Sequence, residues 1–188
     1  MTGTLLCCLE EESAHEMLKG VLPRLLPAEW SVRYMVFEGK KDLLNRLGMR
    51  LRGWRTPATS FLVLCDQDAQ DCRELKNRIC AIVQSCGALA PAKIRIACHE
   101  LENFYLGDLA AVERGLQVKG LSAQSAKKGY RQADVFANAP EQLKKITGRR
   151  YQKLAGSRAI APHLDLSGMN TSCSFNALLG AIRELTAC

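Results

Sequence analysis

Apolar residues in this chain fall into short runs that end in acid. Residues 4–9 run into Glu10-Glu11-Glu12, residues 61–65 into Asp66-Gln67-Asp68, and residues 94–98 into His99-Glu100-Leu101-Glu102. Each run is the length of a buried strand, and a stretch with helical spacing follows each one. After the first run, Ser13 and Glu16 have the spacing of a capping box. Met17, Leu18, Val21, Leu22, Leu25 and Leu26 then trace one helical face, which Pro23 kinks or ends. Residues 31–37 read as a further strand, with Val32, Tyr34 and Val36 on one side. Gly39-Lys40-Lys41 turns the chain into a helix carrying Leu43, Leu44 and Leu47. A helix over about residues 70–86 puts Leu75, Ile79, Ile82 and Val83 together, and Leu101, Phe104 and Tyr105 mark a short one.

Strands and helices thus alternate through residues 1–110, the pattern of an α/β fold with a mostly parallel central sheet flanked by helices. Residues 111–188 are thinner in strand signal. They read as a basic, mainly helical extension with loops, packed on that core. At 188 residues the chain is long enough for a substantial core, and its hydrophobic share of 47% is ordinary for a globular protein. No apolar stretch approaches the roughly 18–20 residues of a membrane span. The N-terminus is too acidic for a signal peptide, so a cytoplasmic protein is expected. Nine cysteines without a Cys-x-x-Cys pair argue for reduced structural thiols rather than a zinc ribbon.

Charge sharpens the picture. The formal net charge is +7, yet acid concentrates at the three strand ends. Between residues 117 and 158 stand ten cations, among them Lys144, Lys145, Arg149, Arg150 and Lys153, against Asp134 and Glu141. A second basic patch, Arg46, Arg50, Arg52 and Arg55, is interleaved with Leu51 and Trp54. In an open parallel sheet, ligands bind beyond the carboxyl ends of the strands. Carboxylates delivered there make an oxygen-rich pocket suited to a hard cation such as Mg²⁺ or Mn²⁺. Basic surface beside it suits a polyanion. Asp66 and Asp68, two residues apart, would point the same way from an extended backbone. Alternative readings stand beside these: Asp66 and Asp68 as caps of the following helix, the basic stretch as a solvated face, His99 as a hydrogen-bonded structural residue, and Trp30 and Trp54 as packing rather than base-stacking groups. Gly39-Lys40-Lys41 lacks the Walker pattern, so an NTPase is not expected.

The segments L-E-E-E-S-A at 9–14, F-E-G-K-K-D-L-L at 37–44, V-L-C-D-Q-D-A-Q-D-C-R-E-L-K at 63–76, R-I-A-C-H-E-L-E-N-F-Y-L-G-D at 95–108, I-A-P-H-L-D at 160–165 and C-S-F-N-A-L-L at 173–179 resemble a family of small bacterial Toprim-like proteins. That family is related to overcoming-lysogenization-type nucleases and is often encoded beside an AAA-type ATPase. The resemblance implies a Toprim-like fold, and a metal site of Glu10, Asp66, Asp68 and Glu100. It gives Glu10 and Glu100 catalytic roles and makes Lys153 the match for a lysine that stabilises charge at the scissile phosphate. Two positions depart from the pattern. Glu11 stands where Toprim motifs carry Gly, and Ala14 where nuclease-type members carry a second acid. A second metal would then need Glu11, Asp71 or Glu102, with His99 as a further supporting group. Lys144, Lys145, Arg149 and Arg150 are the expected nucleic-acid contacts.

The expectation is a Mg²⁺-dependent, Toprim-like nuclease acting on nucleic acid as effector of an ATPase-coupled, anti-phage defence system. A homo-oligomer is compatible with it, and no membrane is involved. The alternative is a catalytically weak Toprim-like subunit that binds an ATPase or nucleic acid without cutting.

Overall fold

The computed structural model describes residues 3–87 and 90–187. Four parallel strands, β1 (Gly3–Leu9), β2 (Trp30–Val36), β3 (Thr59–Asp66) and β4 (Ala92–Ala97), form a single sheet in the order β2-β1-β3-β4. Helices α1 (Glu12–Val21), α2 (Lys40–Arg52) and α3 (Cys72–Ser85) make the crossovers. Then follow α4 (Glu102–Leu106), α5 (Leu109–Leu116), α6 (Ala139–Ile146), α7 (Lys153–Ile160) and α8 (Cys173–Thr186), separated by loops and short 3-10 turns. The fold is α/β, with an all-parallel central sheet flanked by helices.

The continuous apolar runs have a direct cause. β1 and β3 are the inner strands, and every residue of β3 is buried, so both faces of each must be apolar. Alternation then sorts the side chains. Leu5, Cys7, Leu9, Leu62 and Leu64 enter one core with α1, α4, α5, α7 and α8. Leu6, Cys8, Phe61, Val63 and Cys65 enter the other, with α2 and α3. The edge strand β2 keeps polar residues outward, with Val32 and Tyr34 packed against the first core. The C-terminal helices therefore build the same core as the first strand. Burial pushes the Cys8 thiol up to about 12, in keeping with a cysteine that acts as a small hydrophobe. Among the described residues, no helix is long and apolar enough to cross a membrane.

Two local expectations are corrected. Ser13 and Glu16 do not form a capping box, because α1 begins at Glu12 and Glu11 takes the N-cap position. The Ser13 hydroxyl instead donates to the Glu11 carboxylate. Glu16 pairs with Arg158 of α7 at 2.6 Å and with Lys19 at 3.1 Å, which hold its carboxyl down at about 2. Nor do Asp66 and Asp68 point the same way. Extended backbone ends at Asp66, and Asp68 sits in the left-handed region at φ 52°.

A carboxylate and lysine cluster at the switch point of the sheet

In the order β2-β1-β3-β4 the chain leaves β1 to one side for β2 and reaches β3 on the other. The topological switch point therefore lies between β1 and β3, and the crevice beyond their carboxyl ends is the expected ligand position. Glu10 and Glu11 leave β1 there, and Asp66 is the last residue of β3. Glu10 Oε2 accepts the Asp66 backbone N–H at 2.9 Å and the Cys65 Sγ at 3.0 Å, so Glu10 is fixed against the end of β3. Asp66 is only 8% exposed, and its carboxylate accepts no hydrogen bond among the described residues. Burial, followed by the charges of Glu11, Glu10 and Glu102, raises its pKa well above the usual carboxylate range, against the opposing pull of Lys153.

Glu102 comes from the first turn of α4 and is fully buried. Its Oε1 accepts the Tyr151 hydroxyl at 2.8 Å, while its Oε2 is buried without a partner among the described residues. Burial raises its pKa despite the Tyr151 hydrogen bond and Lys153. Lys153, the first residue of α7, reaches Glu11 at 2.7 Å. Burial alone would lower the lysine's pKa, but its bond to Glu11 and the nearby carboxylates outweigh that and raise it.

A second lobe lies beside this one. Gly39 at φ 91° turns the chain into α2, and Lys40, the first residue of that helix, reaches Asp68 at 2.5 Å and the Gln67 carbonyl at 3.3 Å. His99 is left-handed too, at φ 58°. Its carbonyl accepts the Asp68 N–H at 2.8 Å, which joins the β3 and β4 end loops. Two non-glycine residues in this region of backbone, bonded to each other at strand ends, are the kind of local strain found at functional sites. Glu100 is half-buried, and its pKa is raised by burial and then by Glu102, with a smaller contribution from Asp68. It is thus electrostatically coupled to both lobes.

The structure therefore places Glu10, Glu11, Asp66, Glu102 and Lys153 together, with Asp68, His99 and Glu100 alongside. They do not form a finished cage: among the described residues, no three His, Cys, Asp or Glu side chains are arranged to hold a metal ion. Asp68 is 55% exposed and turned to Lys40. Lys153 pairs with Glu11 and Lys40 with Asp68. The donor chemistry nevertheless fits a hard cation. The buried Asp66 carboxylate accepts no hydrogen bond among the described residues, Glu102 Oε2 is buried without a donor, and most side-chain oxygens at hand are carboxylate.

Asp71 drops out of the candidate set. It is the N-cap of α3, and its Oδ1 accepts the N–H groups of Arg73 at 2.8 Å and Glu74 at 2.9 Å, which lower its pKa. The capping role considered for Asp66 and Asp68 thus belongs to Asp71. Lys144, Lys145 and Arg149 line a cleft of about 890 Å³ together with Glu141 and Tyr151. Since Tyr151 also holds Glu102, this basic cleft borders the carboxylates. Arg150 stands apart, its guanidinium donating to the Gln117 carbonyl at 3.0 Å. Sequence reasoning gave no site role to Tyr151, and considered Lys40 only as part of the turn into α2.

Fold and edge together define a parallel α/β protein with a carboxylate and lysine cluster at the switch point of its sheet. Residues 9–183 match the family described as Domain of unknown function (DUF4276), and the chain belongs to that family. No curated protein and no solved structure gives a significant match.

Proposed function

We propose that this protein is a Mg²⁺- or Mn²⁺-dependent phosphodiesterase acting on nucleic acid, built on a Toprim-like plan. The observation that carries the reading is the buried Asp66 carboxylate without a donor, ringed by Glu10, Glu11 and Glu102 at the switch point. Asp66, Glu10 and Glu102 would hold the cation, with Glu11 or Asp68 joining once released from its lysine. Such a cation, when bound, neutralises charge on a phosphate and makes water a better nucleophile at neutral pH. The chain's own groups supply the rest. Lys153 and Lys40, freed from Glu11 and Asp68, place positive charge against the phosphate. The Asp66 N–H keeps Glu10 in register with β3. Lys144, Lys145 and Arg149 grip the flanking backbone as point charges and as a fork.

A second reading, a weakly catalytic subunit that binds an AAA-type ATPase or nucleic acid, is favoured by the two lysine–carboxylate pairs that occupy the cluster. The cytoplasm as the working compartment, an ATPase partner and a defence role are proposals that rest on the resemblance alone.

The test compares wild type with Glu10→Gln and Asp66→Asn in Mg²⁺ or Mn²⁺, on single- and double-stranded DNA and on RNA. Mn²⁺ binding is measured by calorimetry in parallel. Both variants should stay folded and lose cleavage and Mn²⁺ binding together. Cleavage by either variant at the wild-type rate refutes the site. Intact Mn²⁺ binding in wild type without cleavage of any substrate favours the second reading.

A further inference from the structure

At the opposite end of the sheet, a cavity of about 630 Å³ opens at the amino ends of β1 and β3. Trp30, Trp54, Phe61 and Leu185 give it apolar and aromatic walls, and Arg52 and Arg55 stand exposed at its lining. Seven residue steps along β3 separate Thr59 here from Asp66 at the other edge, roughly 23 Å at the rise of a strand. The two sites are separate.

Two features of the lining point to a ligand. The volume lies within the range of small-molecule sites, which are mostly apolar with a few convergent polar groups. The Trp54 Nε1–H is already satisfied by Thr59 Oγ1 at 3.0 Å, so that indole offers the cavity a ring rather than a donor. Arg52 and Arg55 make no ion pair or side-chain hydrogen bond among the described residues. Arg52 ends α2, where a cation complements the helix dipole, but Arg55 lies beyond the helix in the loop to β3 and has no such account. Two indoles and two uncommitted guanidinium groups call for a flat ring with an anionic tail.

We propose that this cavity binds a free nucleoside monophosphate, with the base against the indoles. The phosphate meets Arg52 and Arg55. This site is separate from the proposed catalytic cluster at the other edge of the sheet.

The chain's two tryptophans both line the cavity, so intrinsic fluorescence reports its occupancy directly. The full-length protein is titrated with AMP and GMP in EDTA, which keeps the carboxylate cluster free of divalent metal. At least one nucleotide should give a saturable change. Adenosine or guanosine alone, inorganic phosphate alone, and the R52Q/R55Q variant should each bind about tenfold more weakly or worse, the factor of one lost charge-assisted hydrogen bond. Both arginines are exposed, so R52Q/R55Q should fold normally, checked by circular dichroism. Asp66→Asn should leave the nucleotide affinity unchanged. The proposal falls if no saturable change appears up to about 10 mM nucleotide. It falls equally if R52Q/R55Q or the free nucleosides bind as well as wild type binds the nucleotide, if Asp66→Asn abolishes binding, or if only a 5′-phosphorylated oligonucleotide binds.

Discussion

Tyr151→Phe isolates a single atom at the heart of the site. The Tyr151 ring is buried, tilted against Tyr105 with centroids 6.2 Å apart, and the substitution keeps that packing. What disappears is the hydroxyl that donates to Glu102 Oε1 at 2.8 Å. Glu102 is fully buried and its other oxygen already lacks a donor, so the variant leaves the whole carboxyl group without a hydrogen bond. Losing a hydrogen bond to a buried charged or partly charged group costs about 2 kcal/mol. For a domain of this size each kcal/mol lowers the melting temperature by roughly 2–4 °C, so a fall of about 4–8 °C is expected. Thermal unfolding followed by circular dichroism measures it. The same substitution in a Glu102→Leu background should cost much less, because both partners are then gone, and the double-mutant cycle should show a coupling of about 1–2 kcal/mol. A variant that melts within about 1 °C of wild type, or a cycle without coupling, would refute the anchoring of Glu102 by Tyr151.

Two further outcomes follow from the charges. Asp66 has a raised pKa in the folded chain, so wild type without metal loses stability as pH rises from the ordinary carboxylate range through the folded value. Asp66→Asn should therefore be more stable than wild type at pH 8 and little changed at pH 4, by urea unfolding in EDTA; a variant less stable at pH 8 would contradict the repulsive environment. The K144Q/K145Q/R149Q variant should lower the log–log salt slope of nucleic-acid binding by about 0.7–0.9 per lost phosphate contact, whereas Arg150→Gln, whose guanidinium is held by Gln117, should leave it alone. An unchanged slope in the triple variant would remove the basic cleft from the binding surface.

Much of the architecture was legible because the inner strands are buried on both faces. β1 and β3 read as unbroken apolar runs, and the alternation with helical spacing gave the parallel sheet. The acids at the strand ends were equally visible, since a parallel sheet delivers all its carboxyl ends to one edge. The divisions among those acids were not. Whether Asp66, Asp68 or Asp71 caps α3 depends on where the chain leaves extended backbone, and the left-handed conformations of Asp68 and His99 are fixed by a hydrogen bond between loops about thirty residues apart in sequence. Lys40 with Asp68, Lys153 with Glu11 and Tyr151 with Glu102 are likewise pairings across the fold, with no local spacing to betray them. Arg150 shows the converse. It neighbours Arg149 in the chain, yet a left-handed Arg149 sends the two guanidinium groups apart.

The division of the core between the two faces of the sheet also bears on how the chain is made. The face covered by α2 and α3 is assembled from residues 6 to 96 and can close as soon as β4 has formed. The other face of the same inner strands, with Leu5, Cys7, Leu9, Leu62 and Leu64, draws its cover from residues as late as Phe175, Leu178, Leu179 and Ile182 of α8. A nascent chain that has just released β4 from the ribosome thus carries a four-stranded sheet sealed on one side and covered on the other by α1 alone. At ribosomal rates of 5–20 residues per second it stays that way for several seconds, exposed to aggregation. Ribosome-associated chaperones would find their substrate in that half-sealed sheet, and truncations that remove α8 would leave part of that face uncovered permanently.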